Sequence, residues 1–183
     1  MDMSTGDLNP AAIPTVPANT QGDDRWMSLH NRFVSDSKDK EPEVLFVGDS
    51  LIQLMHQFEV WRELFSPLHA LNFGIGGDAT QHVLWRLSNG ELDHINPRGL
   101  LPRGKLPNPL RVRNAQVNAL VQAALPSLPR ASYLDVDPGL VHSDGTISPQ
   151  DLYDYLHLTP LTYRSVCQPL HRAITALLEQ PAL

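Results

Sequence analysis

The residue with the clearest chemical potential is Ser50, which follows Gly48 and Asp49 directly after an apolar run. Ligands of open α/β sheets bind at the carboxyl ends of parallel strands, so a serine at this point is well placed to act as a nucleophile. Ser50 or Asp49 would equally serve as the N-cap of the following helix. Position 52 is Ile, so the segment is not the G-x-S-x-G elbow of the α/β hydrolases.

A nucleophilic serine needs a base, and the best candidate is His157 with Asp154 before it. Three-residue spacing on a helical turn brings two side chains to one face, so Asp154 would accept Nδ1–H of His157 and leave Nε2 to face Ser50. An Asp-x-x-His pair also arises by chance on protein surfaces. The seven other histidines lack comparable partners and are interpreted as surface or buried structural residues: His30, His56, His69, His82, His94, His142 and His171.

The glycine-rich segment 74–79 allows two interpretations. GIGGDA fits the dinucleotide fingerprint G-x-G-x-x-G/A, but that motif belongs to the first βα turn and needs an acidic residue at the end of the next strand. The segment that follows, GELDHINP, shows no strand pattern. In the other interpretation, a glycine amide helps to form an oxyanion hole beside Ser50.

The elements that would position these residues are two βα units in the first half of the chain. Apolar runs predict strands at 44–47 and 69–73, and helical spacing of apolar residues predicts helices over 51–65 and around 83–87. A short amphipathic helix from Trp26 precedes them. Repeated βα units indicate an α/β fold with a parallel sheet.

The pattern breaks down in 91–109, which holds four prolines and is too short for a βαβ crossover. A helix is predicted over 110–125, a third strand over 131–136 and a C-terminal helix over about 161–179. Three strands are few for a parallel sheet.

Composition limits the class of protein. The length of 183 residues fits one domain, here 21–183, and the proline-rich residues 1–20 are expected to be a disordered tail. A formal charge of −6 without a basic stripe disfavours nucleic acid. The single cysteine, Cys167, is interpreted as a small buried residue and fits a reducing compartment. With no signal sequence or membrane span in view, the expected location is the cytoplasm.

Three separated blocks carry a resemblance to a known family: PEVLFVGDSLIQ, ALNFGIGGDATQHVLWRL and VHSDGTIS with DLYDYLHLT. They closely resemble the catalytic subunits of the intracellular platelet-activating factor acetylhydrolases of type Ib, within the SGNH (GDSL) hydrolase superfamily. The resemblance runs from about residue 21 to residue 178. It implies a three-layer flavodoxin-like fold with a parallel sheet, and an esterase that needs no cofactor or metal.

The resemblance also assigns roles to residues. Ser50 matches the nucleophile, Asp154 and His157 complete the triad, and the amides of Ser50 and Gly77 match two oxyanion-hole donors. Leu51 and Leu156, next to the nucleophile and the histidine, are expected to line a small acyl pocket. The substrate implied is the sn-2 acetyl ester of platelet-activating factor-like phospholipids.

One block of the family is missing. A third strand leading to Gly-x-Asn, in this subfamily Gly-Thr-Asn-Asn, supplies the asparagine that is the third oxyanion donor. Here Pro97 runs directly into Arg98, as if about forty residues, roughly one βα repeat, had been removed. An alternative transcript or an error in sequence prediction would produce such a gap, and the sheet is expected to be truncated by the loss of central strands.

The missing block leaves two functions open. The first is a serine esterase whose activity is impaired. The second is a weak or inactive subunit that dimerises with full-length subunits, since the resemblance implies homodimers, heterodimers and a WD40-repeat lissencephaly-type regulatory partner. A chain that does not fold stably is the third alternative.

Overall fold

The computed structural model describes residues 9–18, 22–40, 42–91, 109–128 and 131–179. The chain divides into two compact units, Met1–Leu100 and Leu101–Leu183, where the sequence predicts one domain. The division falls within the proline-rich stretch that shows no βα pattern in the sequence.

The first unit contains a two-stranded parallel sheet. Its elements are α1 (Arg25–Asp39), β1 (Leu45–Gly48), α2 (Ser50–Met55), β2 (Leu71–Gly74) and α3 (Thr80–Leu87). In the register, Leu45 lies opposite Leu71 and Gly48 lies opposite Gly74, so both strands end at the same level. The two predicted βα units are confirmed, and their carboxyl ends lie side by side as a parallel sheet requires.

The core of this unit forms between α1 and the sheet. Phe33 on α1 stacks on Phe73 of β2 with ring centroids 4.5 Å apart, and Val47, Phe73 and Ile75 are almost wholly buried. All four residues of β1 are buried, as expected for a strand covered on both faces.

The predicted long helix over 51–65 is wrong in its length. Helix α2 ends at Met55, and the chain continues through a turn into a π-helical segment, Trp61–Phe65, and a 3-10 turn, Ser66–Leu68. Trp61 and Phe65 place their rings 5.3 and 4.8 Å from that of Phe46. Packing of these aromatic rings against β1 accounts for the same apolar spacing without a continuous helix.

The second unit is mainly helical, with α4 (Pro109–Ala124) and α5 (Pro160–Leu178) close to their predicted bounds. The predicted strand over 131–136 is absent, which corrects the count of three strands. A strand exists only when a neighbour pairs with its backbone. Within the described residues of this unit, strand-type pairing is limited to an isolated antiparallel bridge between Leu152 and Leu158.

Part of the segment expected to be a disordered tail has a described conformation. Residues Pro10–Ala12 form a 3-10 turn, and the backbone N–H of Thr15 donates to the carbonyl of Gln81 on α3 at 3.2 Å. Residues 1–8, 19–20 and the predicted gap at 97–98 lie outside the described residues. Across the described ranges, none of the helices combines the length and apolar character needed to cross a membrane.

Candidate active site

The turn between β1 and α2 places Ser50 at the first position of the helix. Asp49 is the N-cap, because its Oδ1 accepts the backbone N–H of Leu51 at 2.9 Å. The sequence allowed either Ser50 or Asp49 as the N-cap, and the structure shows that it is Asp49. Ser50 is half-buried, and Leu51 behind it is buried.

The glycine-rich loop after β2 lies directly beside Ser50. The N–H of Ile75 donates to the carbonyl of Gly48 at 3.0 Å, so the two chain segments stay paired beyond the strands. A Cβ atom added to Gly76 would lie 4.0 Å from Cβ of Ser50. The next residue, Gly77, is exposed and has φ +85°, a conformation that favours glycine. Within the part of the chain described, no acceptor contacts the Gly77 amide.

Two of the glycines in this loop are explained by their close approach to α2. A Cβ on Gly74 would lie 2.2 Å from the backbone nitrogen of Gln53, and one on Gly76 would lie 2.8 Å from Oε1 of the same residue. Helix packing therefore requires glycine at position 74, where the clash is with backbone, whereas at position 76 the end of the Gln53 side chain would have to move. The fingerprint alone carries no weight for nucleotide binding.

Asn72 is a positioning residue that the sequence analysis missed. Its Nδ2 donates to the carbonyl of Ile52 at 2.6 Å, and its Oδ1 accepts the N–H of Gly74 at 3.0 Å. The side chain thus ties helix α2, which begins at Ser50, to the start of the glycine loop. The available signal was an asparagine inside an apolar strand, where an unpaired amide would be costly.

In the second unit, Asp154 and His157 are in direct contact. Asp154 Oδ2 lies 2.6 Å from His157 Nδ1. Oδ1 accepts the backbone N–H groups of Leu156 at 3.0 Å and His157 at 2.7 Å. An ionised carboxylate only accepts hydrogen bonds, so Nδ1 carries the proton and Nε2 of the neutral ring is an acceptor. Such a ring can remove a proton from a hydroxyl group.

The two side chains do not meet on a helical turn, which corrects the local prediction. The segment is an irregular turn in which Tyr155 has φ +61°, a left-handed conformation that is strained for a tyrosine. Backbone bonds hold the turn, because Tyr155 N donates to Leu152 O at 3.0 Å and Tyr153 N to His157 O at 3.1 Å. Strain of this kind is concentrated at functional sites.

The hydrogen bonds in this turn also set the charge of Asp154. Burial acts to raise the pKa of its carboxyl, but hydrogen bonds from the backbone and ring of His157 and the backbone of Leu156 outweigh it, so the pKa is lowered from its usual value. Although 41% of the side chain is exposed, Asp154 stays ionised well below neutral pH. A permanent negative charge beside Nδ1 stabilises the imidazolium that forms when Nε2 takes a proton.

Three other histidines have carboxylate partners, which corrects the prediction that none has one; one of them is His82, whose Nδ1 lies 3.8 Å from Asp78 Oδ1. His30 Nδ1 lies 2.8 Å from Glu91 Oε1 in the core of the first unit, and His142 Nε2 lies 3.2 Å from Asp151 Oδ2. His30 is 4% exposed and is a buried structural histidine. No cluster of three His, Cys, Asp or Glu side chains within the described ranges is arranged to hold a metal ion.

The predicted site residues fall into two groups. Ser50, Leu51 and Gly77 belong to the first unit, while Asp154, Leu156 and His157 belong to the second. Leu156 is half-buried. Cys167 is fully buried, as predicted, and burial raises the pKa of its thiol to about 12, so it is no nucleophile at neutral pH.

Comparison with solved structures identifies the fold. The chain matches a structure from Streptococcus pneumonia, described as that of a candidate platelet activating factor, with a TM-score of 0.65 and 15% identity. The match covers 81% of this chain and 92% of that one. This likeness shows that the chain shares the α/β fold of that structure.

Comparison with curated proteins identifies the family. The chain is 57% identical to platelet-activating factor acetylhydrolase IB subunit alpha1 of Bos taurus and of Homo sapiens, over 96% of this chain and 94% of each relative. It is 54% identical to the alpha2 subunit of Gallus gallus, over 97% of this chain and 96% of that relative.

The alignment with alpha1 also measures a difference in length. It spans 217 residues, whereas 96% of 183 residues is about 176, so about 41 positions of the relatives have no counterpart in this chain. No protein-family model matches the chain. Identity at this level over nearly the whole length is decisive, and the chain belongs to the platelet-activating factor acetylhydrolase IB alpha-subunit family of hydrolases.

Proposed function

We propose that this chain is a serine esterase that removes a short acyl group, such as acetyl, from the sn-2 position of platelet-activating factor-like phospholipids. Ser50 is the nucleophile, His157 the general base and acid, and Asp154 the residue that orients the imidazole. The amides of Ser50 and Gly77 hold the oxyanion, and Leu51 and Leu156 line the acyl pocket.

The observation that carries this proposal is the 2.6 Å contact between Asp154 Oδ2 and His157 Nδ1. Two backbone amides fix the carboxylate, and the carboxylate fixes the tautomer of the ring. A surface ion pair needs neither a strained turn nor a fixed tautomer, but a general base needs an oriented ring with an acceptor nitrogen. The family name of the relatives agrees with this chemistry.

The reaction follows from these roles. Ser50 Oγ attacks the acyl carbonyl carbon while its proton passes to Nε2 of His157, and the carbonyl oxygen becomes an oxyanion held by the two amides. Collapse of the tetrahedral intermediate breaks the ester bond, and His157 returns the proton to the leaving lysophospholipid oxygen. Water then attacks the acyl-enzyme by the same route, which releases the carboxylic acid and regenerates Ser50.

We further propose that the reaction is slow in this chain. The positions without a counterpart here would include the Gly-x-Asn block, placed by the sequence at 97–98, and with it the third oxyanion donor. Asn72 cannot replace that donor, because its amide group is bonded to the carbonyl of Ile52. Loss of one donor costs about 10²–10³ in rate.

Hydrolysis of a 2-acetyl glycerophosphocholine ether tests this function. We expect acetate release by the parent chain, a fall to background in Ser50→Ala, and no change in Ser127→Ala, which alters an exposed serine outside the proposed site. Equal rates for the parent and Ser50→Ala would exclude Ser50 as the nucleophile.

A second candidate function is that of a weak or inactive subunit. It is favoured by the roughly 41 positions without a counterpart and by the relatives, which are named as alpha1 and alpha2 subunits. The chain would then pair with itself or with a full-length subunit and bind a WD40-repeat lissencephaly-type partner in the cytoplasm. Co-purification with a full-length alpha2 subunit, without acetate release, would favour this function over the first, whereas a chain that stays monomeric at high concentration and does not co-purify with a full-length subunit would exclude it.

A further inference from the structure

Behind the nucleophile turn lies a cluster of four buried charged or titratable side chains that no catalytic role accounts for. We call it the Arg86 cluster. Its members are Arg86 on α3, His30 on α1, Asp78 just before α3 and Glu91 just after it. Arg86 and Glu91 are fully buried, and Asp78 is 9% exposed. Burial of ionised groups is unfavourable unless each is paired, so a cluster at this place calls for a reason.

Within the cluster, Arg86 makes the central contacts. Its Nη1 donates to Asp78 Oδ2 at 2.7 Å, and its Nη2 and Nε each donate to Glu91 at 2.9 Å. His30 contacts the second carboxylate through Nδ1, and Trp26 donates its indole N–H to Asp78 at 2.7 Å. Both carboxylates are therefore held in fixed positions.

Arg86 also contacts the backbone at the end of both strands. Its Nη1 donates to the carbonyl of Gly48 at 3.3 Å, and its Nη2 donates to the carbonyl of Phe73. Gly48 is two residues before Ser50, and Phe73 immediately precedes the glycine loop. The same guanidinium thus holds the two segments from which the proposed oxyanion donors come.

A third contact fixes the far end of the loop. Asp78 directly follows Gly77, and its side chain is bound to Arg86. The loop from Gly74 to Gly77 is therefore held at its start through Phe73 and at its end through Asp78. Because this loop also lies against Ser50, a shift of the guanidinium would change the distance between the Ser50 and Gly77 amides.

We propose that Arg86 is a positioning residue, which acts through Asp78 and the two strand-end carbonyls to set the separation of the Ser50 and Gly77 amides. The consequence for catalysis rests on the proposed esterase function, whereas the effect on the loop does not. Stability alone would require only that the cluster be paired. If Arg86 positions the loop, loss of its contacts to the loop must displace the Ser50 and Gly77 amides more than loss of contacts within the cluster does.

The test compares variants that disturb different contacts of the same cluster. Asp78→Asn removes the charge that anchors the loop and leaves a side chain of nearly the same size. Arg86→Lys removes the planar group that reaches both carbonyls. His30→Gln removes the imidazole partner of Glu91 and the ring stacked on Trp26, but leaves the bond between Arg86 and Asp78 in place. Val60→Ala, at a buried site elsewhere in the first unit, is the control for a general loss of stability.

Two readouts separate positioning from catalysis. The first is the NMR chemical shift and hydrogen exchange of the Ser50, Gly76 and Gly77 amides in the full chain. We expect Asp78→Asn to shift these amides and speed their exchange about tenfold or more, beyond any change in His30→Gln or Val60→Ala. The second is the rate of fluorophosphonate labelling, which should fall by about 10- to 100-fold in Asp78→Asn and less than about twofold in His30→Gln, since displacement near 1 Å costs about 10²-fold.

The outcomes are distinct. A parent chain that fails to label contradicts the proposed function, and the amide readout still decides the role of Arg86. If Asp78→Asn moves the loop amides no more than His30→Gln does, the cluster is only structural and the positioning role is wrong. If Asp78→Asn does not fold, Arg86→Lys gives the same comparison.

Discussion

Oδ2 of Asp154 lies 2.6 Å from Nδ1 of His157, while Oδ1 of the same carboxylate accepts the backbone N–H groups of Leu156 and His157. The residue that orients the imidazole is therefore itself oriented by the backbone of the turn it belongs to. The contacts that fix the ring therefore all lie within residues 154–157. This arrangement makes Asp154 the most informative residue to change after Ser50.

Replacement of Asp154 by Asn should lower activity strongly without unfolding the chain. An amide in this place can donate to Nδ1 and favour the wrong tautomer, and a fall of about 10⁴ in kcat is the expected size of this effect in a Ser-His-Asp triad. The exposed position of Asp154 predicts a small change in melting temperature. Acetate release and circular dichroism of the same samples check both points. Activity within threefold of the parent would show that Asp154 does not orient the base.

The lowered pKa of Asp154 predicts how the turn responds to acid. Since the folded pKa lies below the unfolded value, the contribution of this carboxylate is fully present above the unfolded pKa near 3.8 and is lost as pH falls through the folded pKa. The amide resonance of His157 should therefore titrate below pH 3.8, and this titration should disappear in Asp154→Asn. A midpoint above that value would contradict the hydrogen bonds described.

The glycine loop predicts unequal costs for two alanine substitutions. Gly74→Ala places a Cβ 2.2 Å from a backbone nitrogen of α2, so the free energy of unfolding should fall by about 3 kcal/mol or more. Gly77→Ala meets no atom within 4 Å and should cost about 1–2 kcal/mol from its left-handed φ alone. Urea denaturation measures both values, and the reverse order would mean that the loop packs differently against α2.

The buried thiol of Cys167 predicts both reactivity and a pH dependence. In the folded chain it should react with a disulfide reagent only through unfolding, whereas in concentrated urea it should react at once. Its folded pKa of about 12 exceeds the ordinary thiol value of 9.0, so the unfolded chain loses this proton first. Stability should decline between pH 9.0 and about 12, by about 1.4 kcal/mol per pH unit at most.

The matched control for that measurement is Cys167→Ala, which lacks the titrating group. If the decline in stability above pH 9.0 is the same in parent and variant, the thiol is not its cause.

The missing positions predict a gain of function. Insertion of the corresponding block of about 41 residues from the alpha1 relative between Pro97 and Arg98 should raise kcat by about 10²–10³, because it would restore the asparagine donor. The same insertion with that asparagine replaced by alanine is the control, and it should restore stability but not rate. Equal rates for the two insertions would show that the donor is not what this chain lacks.

The sequence predicted most of the elements of both units. The βα units around Ser50 and Gly77 and both helices of the second unit were predictable because apolar periodicity reports directly on which face is buried. The strand at 131–136 was not, since Tyr133, Leu134 and Val136 have the composition of a strand, but no strand among the described residues pairs with them. The prediction of one helix over 51–65 was wrong because Trp61 and Phe65 bury their rings against Phe46 of β1 from a separate segment.

In the candidate site, contacts between residues close in sequence were more predictable than the long-range hydrogen bonds that hold the surrounding backbone. The Asp154–His157 contact follows from three-residue spacing, although the turn that creates it is left-handed at Tyr155, which spacing alone does not reveal. The contacts of Arg86 join residues up to 38 positions apart, and those of Asn72 and Ile52 join residues 20 apart. Long-range hydrogen bonds of this kind have no periodic signature in the sequence.

The most direct measurement is covalent labelling of the purified chain with a fluorophosphonate, followed by intact mass and peptide mapping. Such a reagent reacts with an activated serine and needs little substrate specificity. We predict one adduct per chain, located on Ser50, absent in Ser50→Ala and strongly reduced in His157→Ala. A cooperatively folded chain that gains no adduct, or gains one that persists in Ser50→Ala, would contradict the account.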